Sequence, residues 1–149
     1  MTEPAWLDEV AAEAGRLLGL PAPLVFPPSL VEVFAAGAET PLLDGAAIPE
    51  GRYATPAPEF GVLGADMPAY FSDYEFAEYM AGAWPLALDG AGGFYCLDLR
   101  AVMAGAAPDD GSAPLVWAHS GSLGWGQDDH VLIATDASAF FATALTGWR

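Results

Sequence analysis

Two apolar runs on either side of a glycine-rich turn constrain the fold of this chain more than any other feature. Residues 84–88 and 94–99 are the apolar runs, and glycines recur in the turn at 89–93. Glycine takes positive φ angles without a Cβ clash, so such a turn can join two antiparallel strands. The second run is almost continuously apolar, which is typical of a strand covered on both faces. The segment therefore predicts a β-hairpin whose second strand lies inside a sheet.

Amphipathic patterns predict helices near both ends of the chain. Residues 4–18 place apolar side chains at helical spacing, and Gly19 followed by Pro21 ends that helix. A second short helix is expected after Pro28, with Ser29 as its cap, Leu30, Val33 and Phe34 facing the core, and Gly37 at its end. A last helix is expected to start at Asp136 as its cap and to end at Gly147, with Phe140, Phe141 and Leu145 on its inner side.

The middle of the chain predicts strands with one more helix. Short strands are expected near 52–54 and 60–63, then at 114–119 and 131–134, with a helical turn near 102–104. Ser72 and Glu75 fit a capping box, which predicts a helix over 73–81, although a strand competes there because aromatic residues favour strands. Helices followed by a run of strands and a final helix indicate an α+β fold with a mostly antiparallel sheet. The length of 149 residues fits one domain, 1–149.

The charge balance excludes several classes of partner. Twenty Asp and Glu face four Arg and no Lys, giving a net charge of −16. Such a chain offers no basic patch for nucleic acid or for an anionic membrane surface. It suits a basic protein partner, although charge taken by itself favours solubility alone as the explanation. The candidate partner-facing acids are two loop pairs, Asp109 with Asp110 and Asp128 with Asp129; the alternative is that they are ordinary solvated charge.

Candidate catalytic and metal-binding residues are few. His119 and Ser120 are adjacent, and neighbours in a strand point to opposite faces, so the two cannot simply pair there. His130 has no second histidine or cysteine at metal-ligand spacing. Cys96 lies in an apolar run, which favours a buried structural thiol. The glycines at 90–93 lack the phosphate-loop spacing and its Lys. We expect no catalysis, no metal and no cofactor, and a small hydrolase is the least favoured function.

The cellular location follows from the cysteine content and the first residues. Cys96 is the only cysteine, so no intramolecular disulfide can form. The first thirteen residues carry acids and have neither the basic nor the apolar region of a signal peptide. No apolar stretch reaches the length of a membrane span. A reducing cytoplasm is the expected location.

The segment 84–99 closely resembles the core motif of the SUKH superfamily, which includes bacterial immunity proteins and the yeast cell-wall-assembly regulator. That motif reads loosely as Trp or aliphatic, Pro, aliphatic, Ala, any residue, Asp-Gly, any, Gly, any, two aromatics, any two, and Asp. The residues of this chain that carry the motif are Trp84, Pro85, Ala87, Asp89, Gly90, Gly92, Tyr95 and Asp98. We interpret them as structural, with Asp89 fixing the turn and the large side chains packing in the core.

Weaker similarity to the same family covers residues 20–146, with little match over 38–70. It implies an α+β domain with a curved, mostly antiparallel sheet and flanking helices. It also implies a binding role, because bacterial members are typically encoded beside secreted toxins, often nucleases, and inhibit them inside the cell. We therefore expect an immunity-type protein that neutralises a basic toxin domain. The alternative is a regulatory or scaffolding member of the same superfamily.

Overall fold

The computed structural model describes residues 3–35, 42–44, 59–89 and 92–148. In this part of the chain one sheet of six strands follows the order of the sequence, and each strand pairs antiparallel with the next. The α+β, antiparallel, single-domain fold is thus confirmed. The strands are β1 Leu42–Asp44, β2 Glu59–Val62, β3 Ala83–Leu88, β4 Gly93–Asp98, β5 Leu115–His119 and β6 His130–Ala134.

Helices precede, interrupt and follow the strands. α1 packs against α3, α3 and α4 pack against β3, and α6 contacts both α2 and β1. One cluster of buried side chains joins these helices to the sheet. The helices are α1 Leu7–Leu18, α2 Pro28–Ala35, α3 Met67–Asp73, α4 Phe76–Tyr79, α5 Arg100–Met103 and α6 Ala137–Trp148, and a 3-10 turn covers Ser120–Ser122.

The predicted hairpin is confirmed as β3 and β4 at the middle of the sheet. β4 lies between β3 and β5. β3 and β4 are both buried along their length except at the last residue of each. Pairing is irregular between Pro85 and Ala87. Proline has no N–H to donate to a neighbouring strand, so a bulge at this point is the expected way to fit it into a central strand.

The first helix, the strands β2, β5 and β6, and the start of the last helix also follow their sequence patterns. α1 begins at Leu7, slightly inside the expected range, and ends at Gly19, whose φ of 75° is left-handed. β2, β5 and β6 occupy the expected positions, and α5 forms the expected helical turn. Asp136 caps α6, since its carboxylate accepts a hydrogen bond of 3.2 Å from the N–H of Ala139.

The helix predicted over 73–81 is present only as the single turn of α4, and its predicted capping box is wrong. Two shorter helices, α3 and α4, meet at a corner, and Ser72 lies inside the last turn of α3 instead of capping a helix. Glu75 takes a left-handed conformation between them, with φ 57° and ψ 44°. The break lets Phe71 and Phe76 stack with ring centroids 6.0 Å apart, and both rings are buried. Burial of these rings outweighs the local capping signal.

Two predicted helix boundaries also differ from the structure, and a short strand was missed. α2 begins at Pro28, so Ser29 lies in its first turn and donates its hydroxyl hydrogen to the carbonyl of Ser138 at 2.7 Å. α6 continues past Gly147 to Trp148. β1 was not predicted. Gly37 and the strand expected at 52–54 lie outside the described residues.

Candidate functional site

Asp89 closes the hairpin turn and ties it to the next strand. One carboxylate oxygen accepts a hydrogen bond of 2.8 Å from the N–H of Gly93, and the other accepts one of 2.9 Å from the indole N–H of Trp117 in β5. The N–H of Asp89 also donates to the carbonyl of Gly93 at 3.1 Å. This carboxylate therefore holds the turn and fastens it to β5.

At two positions of the turn, neighbouring side chains come so close to the backbone that glycine is favoured. A Cβ on Gly93 would stand 2.1 Å from Nε1 of Trp117 and 2.5 Å from Oδ2 of Asp89, so no larger residue fits. Gly92 has a φ of +94°, and a Cβ there would lie 3.0 Å from Nε2 of His119. Gly90 lies outside the described residues. Gly93 is absent from the motif set, yet a glycine at the start of a strand pattern already indicates close backbone approach.

The large motif residues form part of the core. Trp84 is buried, its ring centroid lies 4.9 Å from that of Phe71, and its Nε1 lies 3.4 Å from the sulfur of Met67. Pro85 and Ala87 are buried beside it in β3. Tyr95 is also buried, and burial, with a smaller contribution from the negative charge of Asp89, raises its pKa to about 12.

Asp98, the last residue of the motif, belongs to a surface network. Its carboxylate accepts hydrogen bonds from Nε and Nη2 of Arg100, at 3.0 and 2.9 Å. The guanidinium carbon of Arg100 lies 3.7 Å from the ring centroid of Trp125, and the indole N–H of Trp125 donates to the carbonyl of Ala81 at 2.8 Å. The network joins the end of β4 to the turn before β3 and to the β5–β6 connection.

The first pair of candidate partner-facing acids lies in the α5–β5 connection. Asp109 is half-buried and accepts a hydrogen bond of 3.2 Å from the N–H of Val25. Burial, opposed by that hydrogen bond and assisted by the charge of Asp110, raises the pKa of Asp109. Asp110 is exposed, and hydrogen bonds from the hydroxyl and N–H of Ser112 lower its pKa. Asp109 thus links its loop to the α1–α2 connection, and Asp110 is the exposed member of this pair.

The second pair lies in the β5–β6 connection, away in sequence from the first. Asp128 is exposed, whereas Asp129 is half-buried and lies against two glycines of its loop. A Cβ on Gly126 would stand 2.4 Å from Oδ2 of Asp129, and one on Gly124 would stand 3.1 Å from it. Asp129 is therefore packed into its own loop, and Asp128 is the member that faces solvent.

The two histidines contact backbone groups of their own loops, and the cysteine is buried. Nδ1 of His119 accepts a hydrogen bond of 3.0 Å from the N–H of Gly121, which holds the 3-10 turn. Nδ1 of His130 lies 3.0 Å from the carbonyl oxygen of Gly126. Cys96 is buried, and burial raises the pKa of its thiol. Across the described ranges, no group of three or more His, Cys, Asp or Glu residues could hold a metal ion.

A half-open groove of about 230 Å³ lies between α1 and the start of α3. None of the residues proposed from sequence lines it. Its walls are Trp6, Glu9, Val10, Glu13, Ala65 and Pro68.

Among the helices of the described residues, none is both long and apolar enough to cross a membrane.

Four of the described motif residues are buried in the core: Trp84, Pro85, Ala87 and Tyr95. Asp89 and Gly92 belong to the hairpin turn, Asp98 belongs to a surface network, and the loop acids lie in two different connections. No family model, curated protein or solved structure matches this chain significantly.

Proposed function

We propose that this chain is an immunity-type protein that binds and neutralises a bacterial toxin in the cytoplasm without catalysis. The proposal rests on the resemblance of residues 84–99 to the SUKH core motif, and the charge of the chain supports it. Twenty acids face four Arg, and the net charge is −16. A surface of this kind attracts a basic protein over long range and speeds its association, which suits an inhibitor that must act before the toxin does. A nuclease, which carries basic surface to hold phosphates, is the toxin class that fits best.

The roles of the motif residues support a binding scaffold. Asp89, Gly93 and Trp117 together hold the hairpin against β5, and Asp98 is engaged by Arg100. Residues so engaged are suited to maintaining a fold, so we place the toxin contact elsewhere on the surface. This is consistent with the resemblance to the SUKH superfamily, because members of that superfamily share a scaffold while acting on different partners.

A co-expression rescue tests the proposal. The toxic C-terminal domain of the nearest gene for a large secreted protein is expressed with and without this chain, and the two are then co-purified. We expect growth to be rescued and a stable complex to be recovered. An active toxin that still kills, with no complex formed, would overturn the immunity function and favour the regulatory or scaffolding alternative.

A variant that lacks the candidate catalytic side chains separates binding from catalysis in the same assay. His119→Ala combined with Ser120→Ala removes two of the side chains that a hydrolase would use, the loop acids being the other candidates. The doubly substituted chain should rescue as well as the wild type, because protection requires only occupancy of the toxin. Loss of rescue with the complex still intact would show that protection needs chemistry.

A further inference from the structure

We propose that the corner between α3 and α4 is the surface that contacts the basic partner. In this arrangement Arg or Lys side chains of the partner lie against the rings of Tyr74 and Tyr79 and pair with the carboxylates of Glu75 and Glu78. The inference deepens the proposed function and rests on it for the basic partner. It names a different surface from the loop acids considered above.

The corner exposes two aromatic side chains within a few residues. Tyr74 is 41% exposed and Tyr79 is 55% exposed. Tyr74 is nevertheless held in place, because its ring stacks on Tyr70 at 6.1 Å and meets Phe94 edge-on at 4.9 Å. A tyrosine that is already ordered loses little entropy on binding, and tyrosine is among the residues enriched at protein interfaces.

Glu75 occupies a backbone position that suits glycine better. Its φ of 57° and ψ of 44° are left-handed, and Glu75 is the residue other than glycine with positive φ in the described part of the chain. Its side chain is exposed. Such outliers cluster at functional sites, where the conformational cost is accepted because the side chain has another task. An exposed carboxylate held at this corner is suited to a partner.

The charge around the corner selects a basic occupant. Asp73, Glu75 and Glu78 are all exposed, and the sequence has no Arg, Lys or His between Arg52 and Arg100. Carboxylates beside exposed aromatic rings offer a guanidinium both ion pairs and a stacking face. Arginine uses both at once because its planar group is weakly hydrated. Arg100 lies against Gly82 just past α4, and its guanidinium pairs with Asp98, so the exposed carboxylates offer the charge of the corner to a basic partner.

Two double variants with equal charge test the location. Glu75→Gln with Glu78→Gln removes two charges from the corner, and Asp110→Asn with Asp128→Asn removes two from the loops. Against the toxin domain of the rescue experiment, the corner pair should raise Kd by at least about tenfold, and the loop pair should change it much less. Tyr79→Ala should weaken binding similarly. An equal effect of both pairs, or a larger one from the loops, would overturn the corner.

A titration without the toxin keeps the two proposals separable. The 15N-labelled chain is titrated with a short Gly-Arg-Gly-Arg-Gly peptide, and the same peptide carrying citrulline in place of arginine is the control. We expect saturable amide shifts over 70–79 that the citrulline peptide does not cause and that the corner pair abolishes. Shifts spread evenly over all exposed acids would overturn the corner, even if the toxin binds. Amide shifts localised to 70–79 would support the corner as the contact surface, even if this toxin domain does not bind.

Discussion

At the scale of single residues, the carboxylate of Asp89 accepts the hydrogen bonds that hold the hairpin turn and join it to β5. It satisfies the N–H of Gly93 within its own turn and the indole N–H of Trp117 on the neighbouring strand. Both donors belong to buried residues, so water cannot readily replace the carboxylate. Leaving a buried donor unsatisfied costs about 1–3 kcal/mol. The residue is therefore required for stability whatever the protein binds.

Asp89→Ala should lower the free energy of unfolding by about 2–4 kcal/mol, because two buried donors lose their acceptor together. Urea unfolding followed by tryptophan fluorescence measures the change. Asp128→Ala is the matched control, since that acid is exposed, and it should shift stability by less than about 0.5 kcal/mol. Equal effects of the two substitutions would show that the hairpin does not depend on this carboxylate.

Tyr95 makes stability depend on alkaline pH. Its pKa is about 12 in the folded chain, against 10.0 when unperturbed. The folded state then holds this proton at pH values where the unfolded state has lost it, so stability falls as pH rises from 10 towards 12. The loss due to Tyr95 should reach about 1.4 kcal/mol by pH 11.

Tyr95→Phe removes this titration and keeps the ring. Urea midpoints measured at pH 8, 10 and 11 should diverge between the two proteins, with the wild type losing more stability. The other tyrosines serve as an internal reference because both proteins contain them. Parallel curves would mean that the phenol titrates alike in the folded and unfolded chains.

At the scale of elements, the corner between α3 and α4 shows where local patterns fail. Ser72 and Glu75 match a capping box, yet the chain breaks there so that Phe71 and Phe76 are both buried. α3 itself could have been recognised from Met67 and Phe71, which have helical spacing and follow a turn. The short connection between the two helices depends on burial against β3, which the sequence pattern does not contain.

Glu75→Gly should stabilise the fold. The left-handed conformation costs a residue with a Cβ about 1–2 kcal/mol, and glycine returns roughly 0.5–1 kcal/mol of that as extra freedom when unfolded. The net gain should be up to about 1 kcal/mol in urea unfolding. Glu75→Ala is the control, because it keeps the Cβ and should gain nothing. A glycine variant less stable than the wild type would show that the Glu75 side chain stabilises the corner.

At the scale of the whole molecule, the negative charge opposes folding while favouring a basic partner. With a net charge of −16, the folded chain brings like charges together. Salt screens such repulsion, since the Debye length falls from about 30 Å at 0.01 M to about 8 Å at 0.15 M. The same screening weakens the attraction that steers a basic protein towards this surface.

Added NaCl should therefore act in opposite directions on two measurements. Between 10 and 200 mM NaCl at neutral pH, the urea midpoint of the free protein should rise, while the association rate with the toxin domain should fall. Near the isoelectric point of about 4.1, the salt effect on stability should largely disappear. A urea midpoint that is insensitive to salt at neutral pH would mean that the acids are spaced too widely to repel one another.

The sequence by itself determined the parts of this fold that depend on neighbouring residues. The glycine-rich turn between two apolar runs specified the hairpin, and amphipathic spacing with Gly19 specified α1. Asp136 marked the start of α6 in the same way. Side-chain period, turn conformation and capping act over a few residues, so they can be read from the order of the chain.

The tertiary structure alone decided which distant groups meet. Asp89 finds Trp117 across 28 residues, and the hydroxyl of Ser29 finds the carbonyl of Ser138 across 109. Gly93 has no room for a side chain because the hairpin packs against β5 at this point. These contacts depend on strand order, register and helix packing, which are set by burying the whole core at once and leave no local pattern in the sequence.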